Sequence, residues 1–177
     1  MKKLMIASAI AMTMAAGSAM ASSQQGDVQF FGNVTAQTCD LTPEVGGAVT
    51  NMVQLGTVTT NGGSGNSHEG KPIEFLLKAK DAAACTEAAR LKATISWDGN
   101  LGTDGIVNQG GQAKDAHVVL LAKNAETANT VIDSTNNFAT FAADKLTGEG
   151  YKFTAQLIGG ATAGDFQSAS AYAVTYK

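Results

Sequence analysis

Few side chains in this sequence could take part in chemistry, and those that could are far apart. They are two cysteines, Cys39 and Cys85, and two histidines, His68 and His117. His68 lies in a stretch rich in glycine, serine and asparagine, whereas His117 begins an apolar run. Two distant cysteines and two single histidines lack the ligand spacing of a zinc site. We therefore predict no metal site and no cofactor.

Sequence motifs of catalysis are also missing. The sequence has no G-x-S-x-G elbow, no H-E-x-x-H pair and no P-loop. Asp98, Asp104 and Asp115 are interpreted as turn formers near glycines rather than as general acids or bases. A Ser–His–Asp arrangement stays open as an alternative, because folding alone would bring its members together. We expect no catalytic residues and a protein that is not an enzyme.

The start of the chain has the pattern of an export signal. Lys2 and Lys3 precede the apolar run 4–16, and Ala19-Met20-Ala21 fits an A-x-A cleavage site. We predict that residues 1–21 are a signal peptide whose removal leaves 156 of the 177 residues. The apolar run is short for a membrane span. We expect an exported protein.

The charge of the remaining chain limits its partners. All 15 acidic residues follow the signal, while two of the 12 basic residues are lost with it, which leaves a net charge of −5. No basic run with interleaved aromatic residues is present. This balance argues against nucleic acid or an anionic membrane surface as the partner.

The cysteine pair is expected to form one disulfide. Both cysteines lie in the exported part, and an even pair in an oxidising compartment indicates a Cys39–Cys85 bond. A metal pair is the alternative, and it has the unfavourable spacing described above.

Alternating and apolar segments separated by glycine-rich turns favour an all-β sandwich over βαβ units. The predicted strands are 28–38, 49–60, 72–79, 91–97, 117–123, 130–133, 151–158 and 166–177. One short piece, 81–89, has the composition of a helical turn around Cys85. Neither an internal repeat nor a second domain is indicated.

Both ends of the exported chain are half-apolar and have the alternation of strands. Four apolar residues share one parity near the C-terminus: Phe166, Tyr172, Val174 and Tyr176. Gly26, Val28 and Phe30 share a parity near the N-terminus. Such a strand is either an aggregation liability or a ligand that extends another sheet through main-chain hydrogen bonds.

Several short motifs, taken in order, carry a resemblance to a known family. They are Phe31-Gly32-Asn33-Val34, Thr38-Cys39, Leu55-Gly56-Thr57, the position of Cys85, a glycine fourteenth from the C-terminus (Gly164) and a penultimate tyrosine (Tyr176). In these features the chain resembles the structural (major) pilins of chaperone–usher fimbriae and looks similar to type 1 fimbrial proteins. The likeness spans essentially the whole exported chain.

The resemblance implies an incomplete immunoglobulin-like β-sandwich, completed by a donor strand from the neighbouring subunit. It implies a donor-strand extension at 22–31 and a pilin domain at 32–177. The implied donor residues are Gly26, Val28 and Phe30. The residues implied to form the groove wall and the chaperone-recognition motif are Gly164, Phe166, Tyr172, Val174 and Tyr176.

The partners that the resemblance implies are identical subunits in a head-to-tail polymer, a periplasmic chaperone and an outer-membrane usher. It implies passage through the periplasm to a fimbria on the cell surface. Physical reasoning agrees, because a sandwich that lacks a strand exposes apolar interior and unpaired backbone.

Three hypotheses of function follow. The first is a structural fimbrial subunit that supports cell adhesion. The second is that this major subunit is itself the adhesin and binds host glycans through the loops 60–70 and 98–112. The third is a free-standing secreted β-sandwich binding module, which would have to be a stable and complete monomer.

Overall fold

The computed structural model describes residues 39–61 and 68–177, and nearly all of their regular structure is β. The strands are β1 Leu41–Val45, β2 Ala48–Val49, β3 Ile73–Ala79, β4 Ala93–Gly99, β5 Leu101–Gly102, β6 Gly105–Val107, β7 His117–Ala122, β8 Thr130–Ile132, β9 Phe138–Phe141, β10 Tyr151–Ile158 and β11 Ser170–Tyr176. Two single 3₁₀ turns, Ala88–Arg90 and Ala143–Lys145, complete the set for these ranges. No helix in these two ranges is long and apolar enough to cross a membrane.

The strands form two antiparallel sheets. The larger sheet has the order β2-β1-β3-β10-β7-β6-β5, with β8 paired to β7 as its eighth strand. The smaller sheet has the order β11-β4-β9, so β11 occupies one of its edges. Two antiparallel sheets that share one core have the arrangement of an immunoglobulin-like β-sandwich, and the predicted all-β class is confirmed.

Strict alternation of apolar and polar residues explains the longest strands. In β10, Tyr151, Phe153, Ala155 and Leu157 are buried, while the residues between them are half-buried. In β4, Ala93, Ile95 and Trp97 are buried in the same manner. A period of two places one face of each strand on the core. The predicted strand 151–158 therefore matches β10, and 91–97 overlaps β4.

Aromatic rings join the two sheets. Trp97 of the smaller sheet lies edge-on to Phe153 and Phe75 of the larger one, with ring centroids 5.2 and 6.1 Å apart. Phe141 of β9 packs against Tyr151 and Phe153, at 4.9 and 5.5 Å. Edge-to-face contacts at such distances add to the free energy of area burial. Trp97 is thus a core residue.

The predicted strand 49–60 is wrong for most of its length. Only Ala48–Val49 pairs with β1, and the segment 52–60 belongs to neither sheet. Gly56 has a φ of +78°, a conformation that glycine adopts readily. Before Gly56 the half-buried residues are odd-numbered (Val53 and Leu55), whereas after it the half-buried residue Val58 is even-numbered. A regular ladder cannot continue through such a change.

Short strands were missed by the sequence analysis. β1, β5, β6 and β9 have between two and five residues, too few for a clear period of two. The helix-like piece 81–89 consists of turns that lead into the 3₁₀ turn Ala88–Arg90. Its first turn is held by Asp81, whose carboxylate accepts the N–H groups of Ala83 and Ala84.

The predicted disulfide between Cys39 and Cys85 is confirmed. Both residues are buried. The bond links Cys39, which lies two residues before β1, to Cys85 in the turn between β3 and β4. Its loop spans 46 residues. The loop is long enough for the bond to restrict the unfolded chain substantially.

Tyrosine hydroxyls are buried in the core beneath β11. The hydroxyls of Tyr151 and Tyr176 have no hydrogen bond of normal geometry within the described residues. Burial, with a smaller contribution from the neighbouring Tyr176, raises the pKa of Tyr151 well above its ordinary value. Burial also raises the pKa of Tyr176 to about 12. In the folded chain both phenols therefore stay protonated over the whole neutral range.

We expect the double substitution Cys39→Ala and Cys85→Ala to lower the free energy of unfolding by about 4 kcal/mol, the loop-closure entropy of a bond of this length. Denaturant unfolding of the purified chain measures the difference. Chemical reduction of the wild-type chain should reproduce the loss. Equal midpoints for the oxidised and substituted chains would contradict the prediction.

We expect stability to fall at alkaline pH. A phenol whose pKa is raised from 10.0 to about 12 by folding stabilises the protein fully below pH 10, and this stabilisation is lost as the pH rises toward 12. The loss from Tyr176 should be roughly 1–3 kcal/mol. Unfolding monitored together with tyrosinate absorbance tests this, and Tyr176→Phe should make the decline shallower. Tyrosines that all ionise near pH 10 in the folded chain would contradict it.

Candidate functional site

A cleft of about 750 Å³ lies in the described part of the chain. One wall is the segment 52–60, and the other is the segment 162–167, which leads into β11. Ala113, Ala116 and Leu157 also line the cleft. The cleft therefore lies where the segment 52–60 approaches the segment that precedes the C-terminal strand.

The first wall is tied at both ends to the sandwich. Before it, the N–H of Thr50 donates to the carbonyl of Pro43 at 3.0 Å. After it, the N–H of Asn61 donates to the carbonyl of Gly160 at 2.9 Å. Because of the kink at Gly56, Leu55 and Val58 both pack partly against the core. This wall contributes apolar side chains and backbone to the cleft.

The second wall begins at a loop that Asp115 holds in place. The Asp115 carboxylate accepts the N–H groups of Ala161 and Thr162, 46 and 47 residues further along the chain. These bonds, first that from Ala161, lower the pKa of Asp115 below its ordinary value. Asp115 lies in a turn, as the sequence predicts, and the N–H of Ala116 donates to the carbonyl of Ala113 across it. Its carboxylate also binds a distant segment, which the sequence does not predict.

Only part of the predicted wall lines this cleft. Gly164 and Phe166 line it, and Gly164 has a φ of +149°, where glycine is favoured. Tyr172, Val174 and Tyr176 lie further along on β11. Val174 and Tyr176 are buried, and Tyr172 packs on Trp97 and donates its hydroxyl to the carbonyl of Leu41.

The predicted donor residues Gly26, Val28 and Phe30 lie outside the described residues, as do the boundaries at 21 and 31. Their roles remain predictions.

The chemistry of the cleft is that of a binding surface. Its lining consists of small, apolar and hydroxyl-bearing residues, two glutamines (Gln54 and Gln167) and backbone, and Asp165 is the only ionisable side chain among the described lining residues. His68 and His117 are not among those lining residues. No cluster of three or more potential metal ligands occurs in residues 39–61 and 68–177. Such a lining suits an extended, uncharged peptide segment.

Sequence reasoning missed two parts of this site. The segment 52–60 was predicted as a strand within a sheet, whereas it forms one wall of the cleft. Asn108, which binds the other wall, was not singled out. The doublet Gly110-Gly111 was a usable signal, because glycine is needed where two backbones approach closely.

Comparison with known proteins identifies relatives along the whole chain, although no family model matches it. The chain is 49% identical to the F107 fimbrial protein of Escherichia coli over 178 aligned residues, which cover all of both proteins. It is 29% identical to the K99 fimbrial protein of Escherichia coli over 99% of each. These relatives favour a fimbrial subunit over a free-standing binding module, and they are structural proteins. The chain belongs to the family of fimbrial proteins, the structural subunits of bacterial surface fimbriae.

Proposed function

We propose that this fimbrial subunit polymerises by strand donation, in which residues 22–31 of one copy bind beside β11 and in the cleft of the next. The observation that carries the proposal is the cleft itself. It is an open, largely uncharged groove at the start of an edge strand, in a sandwich whose smaller sheet has three strands. An edge strand offers main-chain hydrogen bonds, and flanking pockets take alternate side chains.

The length and charge of the proposed donor suit this groove. The wall 52–60 has nine residues, and the proposed donor segment 22–31 has ten. Asp27 is the one charged side chain of the donor segment. Gly26, Val28 and Phe30 would face the groove, because alternate residues of a strand point to one side.

The remaining partners follow from the resemblance described above. Residues 1–21 would direct export, a periplasmic chaperone would cover the groove before assembly, and an outer-membrane usher would exchange the chaperone for the next subunit. The apolar wall residues Leu55, Val58 and Phe166 support the need for such cover, since they are only partly buried. Exposed apolar surface of this kind promotes association.

Deletion of residues 22–30 should abolish fibre formation. The cleft and β11 remain intact, so the shortened chain should still fold with a chaperone and still accept a donor strand supplied separately. Electron microscopy of cells that express the wild-type or the shortened chain measures the fibres. Normal fibres from the shortened chain would overturn the proposal.

A synthetic peptide of residues 22–31 provides the matched control. At about a hundred times its Kd it should stabilise the shortened chain by about 2.7 kcal/mol. The same peptide with Val28→Asp and Phe30→Asp should give no stabilisation, because burial of unpaired charges is unfavourable. Equal effects of the two peptides would show that the apolar side chains are not what the groove binds.

Substitution within the cleft should impair assembly more than substitution elsewhere. Phe166 lines the cleft, whereas Phe138 on β9 is 49% exposed and lies outside it. We expect Phe166→Ser to slow polymerisation by about tenfold, the effect of about 1.4 kcal/mol of lost contact, and Phe138→Ser to leave the rate unchanged. Light scattering measures the growth rate, and denaturant unfolding checks that both variants fold. Equal rates for the two variants would contradict this prediction.

A further inference from the structure

We propose that Asn108 is a positioning residue that holds the second wall of the cleft in the geometry required for strand entry. The proposal deepens the function proposed above and rests on it for the identity of the occupant. Asn108 follows β6 directly and does not itself line the cleft. Its effect on the occupant would therefore be transmitted through the wall.

A single side-chain amide links two segments of the chain. The Asn108 Oδ1 atom accepts the N–H groups of Gly110, Gly111 and Gln167 at 3.2, 3.0 and 3.2 Å. Its Nδ2 group donates to the carbonyls of Ala113 and Asp165 at 2.7 and 3.3 Å. Asn108 thus shapes the loop 108–113 and binds that loop to the wall segment 165–167.

Backbone hydrogen bonds run alongside this amide. The N–H groups of Gln109 and Gly110 both donate to the carbonyl of Gln167, at 2.8 and 3.1 Å. The N–H of Ala113 donates to the carbonyl of Asp165 at 3.1 Å. These three bonds need the loop in the shape that Asn108 gives it.

The two segments approach so closely that glycine is required. A Cβ atom on Gly111 would lie 1.7 Å from the carbonyl oxygen of Asp165, and one on Gly164 would lie 2.4 Å from the Cβ of Gln112. Both distances are far below van der Waals contact. The glycines permit the approach, and the Asn108 amide satisfies the polar groups that it brings together.

Strand pairing does not position this wall. β11 begins at Ser170, so the segment 161–169 precedes the ladder with β4. Within the described residues the wall is attached to the loop 107–116 through Asn108 and Asp115, and through side-chain bonds of Gln109 and Ser168. The geometry of that loop therefore sets the position of one side of the cleft.

The amide group is specific in this role. Aspartate has nearly the same shape and keeps the acceptor oxygen, but it cannot donate to the carbonyls of Ala113 and Asp165. A carboxylate would instead face both carbonyl oxygens. Asn108→Asp thus removes the cross-link while it changes the side-chain volume very little.

A matched control lies in another loop. The Nδ2 group of Asn136 donates to the carbonyl of Val131 at 3.0 Å. Neither residue lines the cleft. Asn136→Asp removes a comparable side-chain bond and adds the same charge, but it leaves the second wall untouched.

The experiment compares the full exported chain, 22–177, as wild type, Asn108→Asp and Asn136→Asp, at a concentration where light scattering shows that each is still monomeric. Hydrogen exchange measured by mass spectrometry reports the order of the segment 161–169, and a fluorescent peptide of residues 22–31 reports strand binding. For Asn108→Asp we expect exchange in 161–169 to be about tenfold faster, because both hydrogen bonds that the Nδ2 group donates are lost. We expect the association rate of the peptide to fall by a similar factor of about ten.

The dissociation rate separates positioning from general destabilisation. If the bound strand restores the wall, Asn108→Asp should change the dissociation rate by no more than about twofold, with the loss confined to association. A purely structural defect would accelerate dissociation and lower the unfolding midpoint as well. That pattern would overturn the positioning role.

The outcomes distinguish this inference from the proposed function. Unchanged exchange in 161–169 of Asn108→Asp would overturn the cross-link, whatever the peptide does. Faster exchange with an unchanged association rate would overturn the positioning role. If the peptide fails to bind the wild-type chain, strand acceptance by the cleft is overturned, and exchange alone then decides whether Asn108 holds the wall.

Discussion

The structure depends on the contact of a three-stranded sheet with a much larger one through a cluster of aromatic rings. Trp97 and Phe141 contribute from the smaller sheet, and Phe75 and Phe153 from the larger. Close-packed rings resist sliding, because a shift of one ring would force its neighbours to move. The edge strand β11 is thereby fixed on the core by Val174 and Tyr176. It is a firm platform for a further strand.

The two walls of the cleft are held less firmly than this platform, and by different means. The segment 52–60 is attached to the sandwich by backbone hydrogen bonds just before and just after it. The segment 161–169 is attached by polar side chains and by backbone N–H groups of the loop 107–116. Polar cross-links over a partly exposed surface open more readily than core packing. We therefore expect β11 to be the most rigid part of the site and the two walls of the cleft, which an incoming strand would contact first, to be less rigid.

Sequence periodicity predicted the elements that the core dictates. β10 was predicted residue for residue, since its alternate residues are all buried. The cysteine pair was predictable from export and number alone. The role of Asn108 was not predictable, because its partners Asp165 and Gln167 lie 57 and 59 residues away and no local pattern marks them. The segment 52–60 was misassigned for a related reason, namely that one positive φ at Gly56 outweighs the β propensity around it.

The proposed donor and the cleft come from different parts of the sequence, and this determines the kind of assembly. The donor would be residues 22–31, whereas the cleft is built from 52–60 and 162–167, so two contacting copies would use different surfaces. Such a contact is heterologous, and it leaves one free donor and one free cleft after each addition. A self-complementary interface would stop at a dimer. A heterologous one continues to grow unless its rotation closes a ring, and a subunit of a surface fimbria requires this open-ended growth.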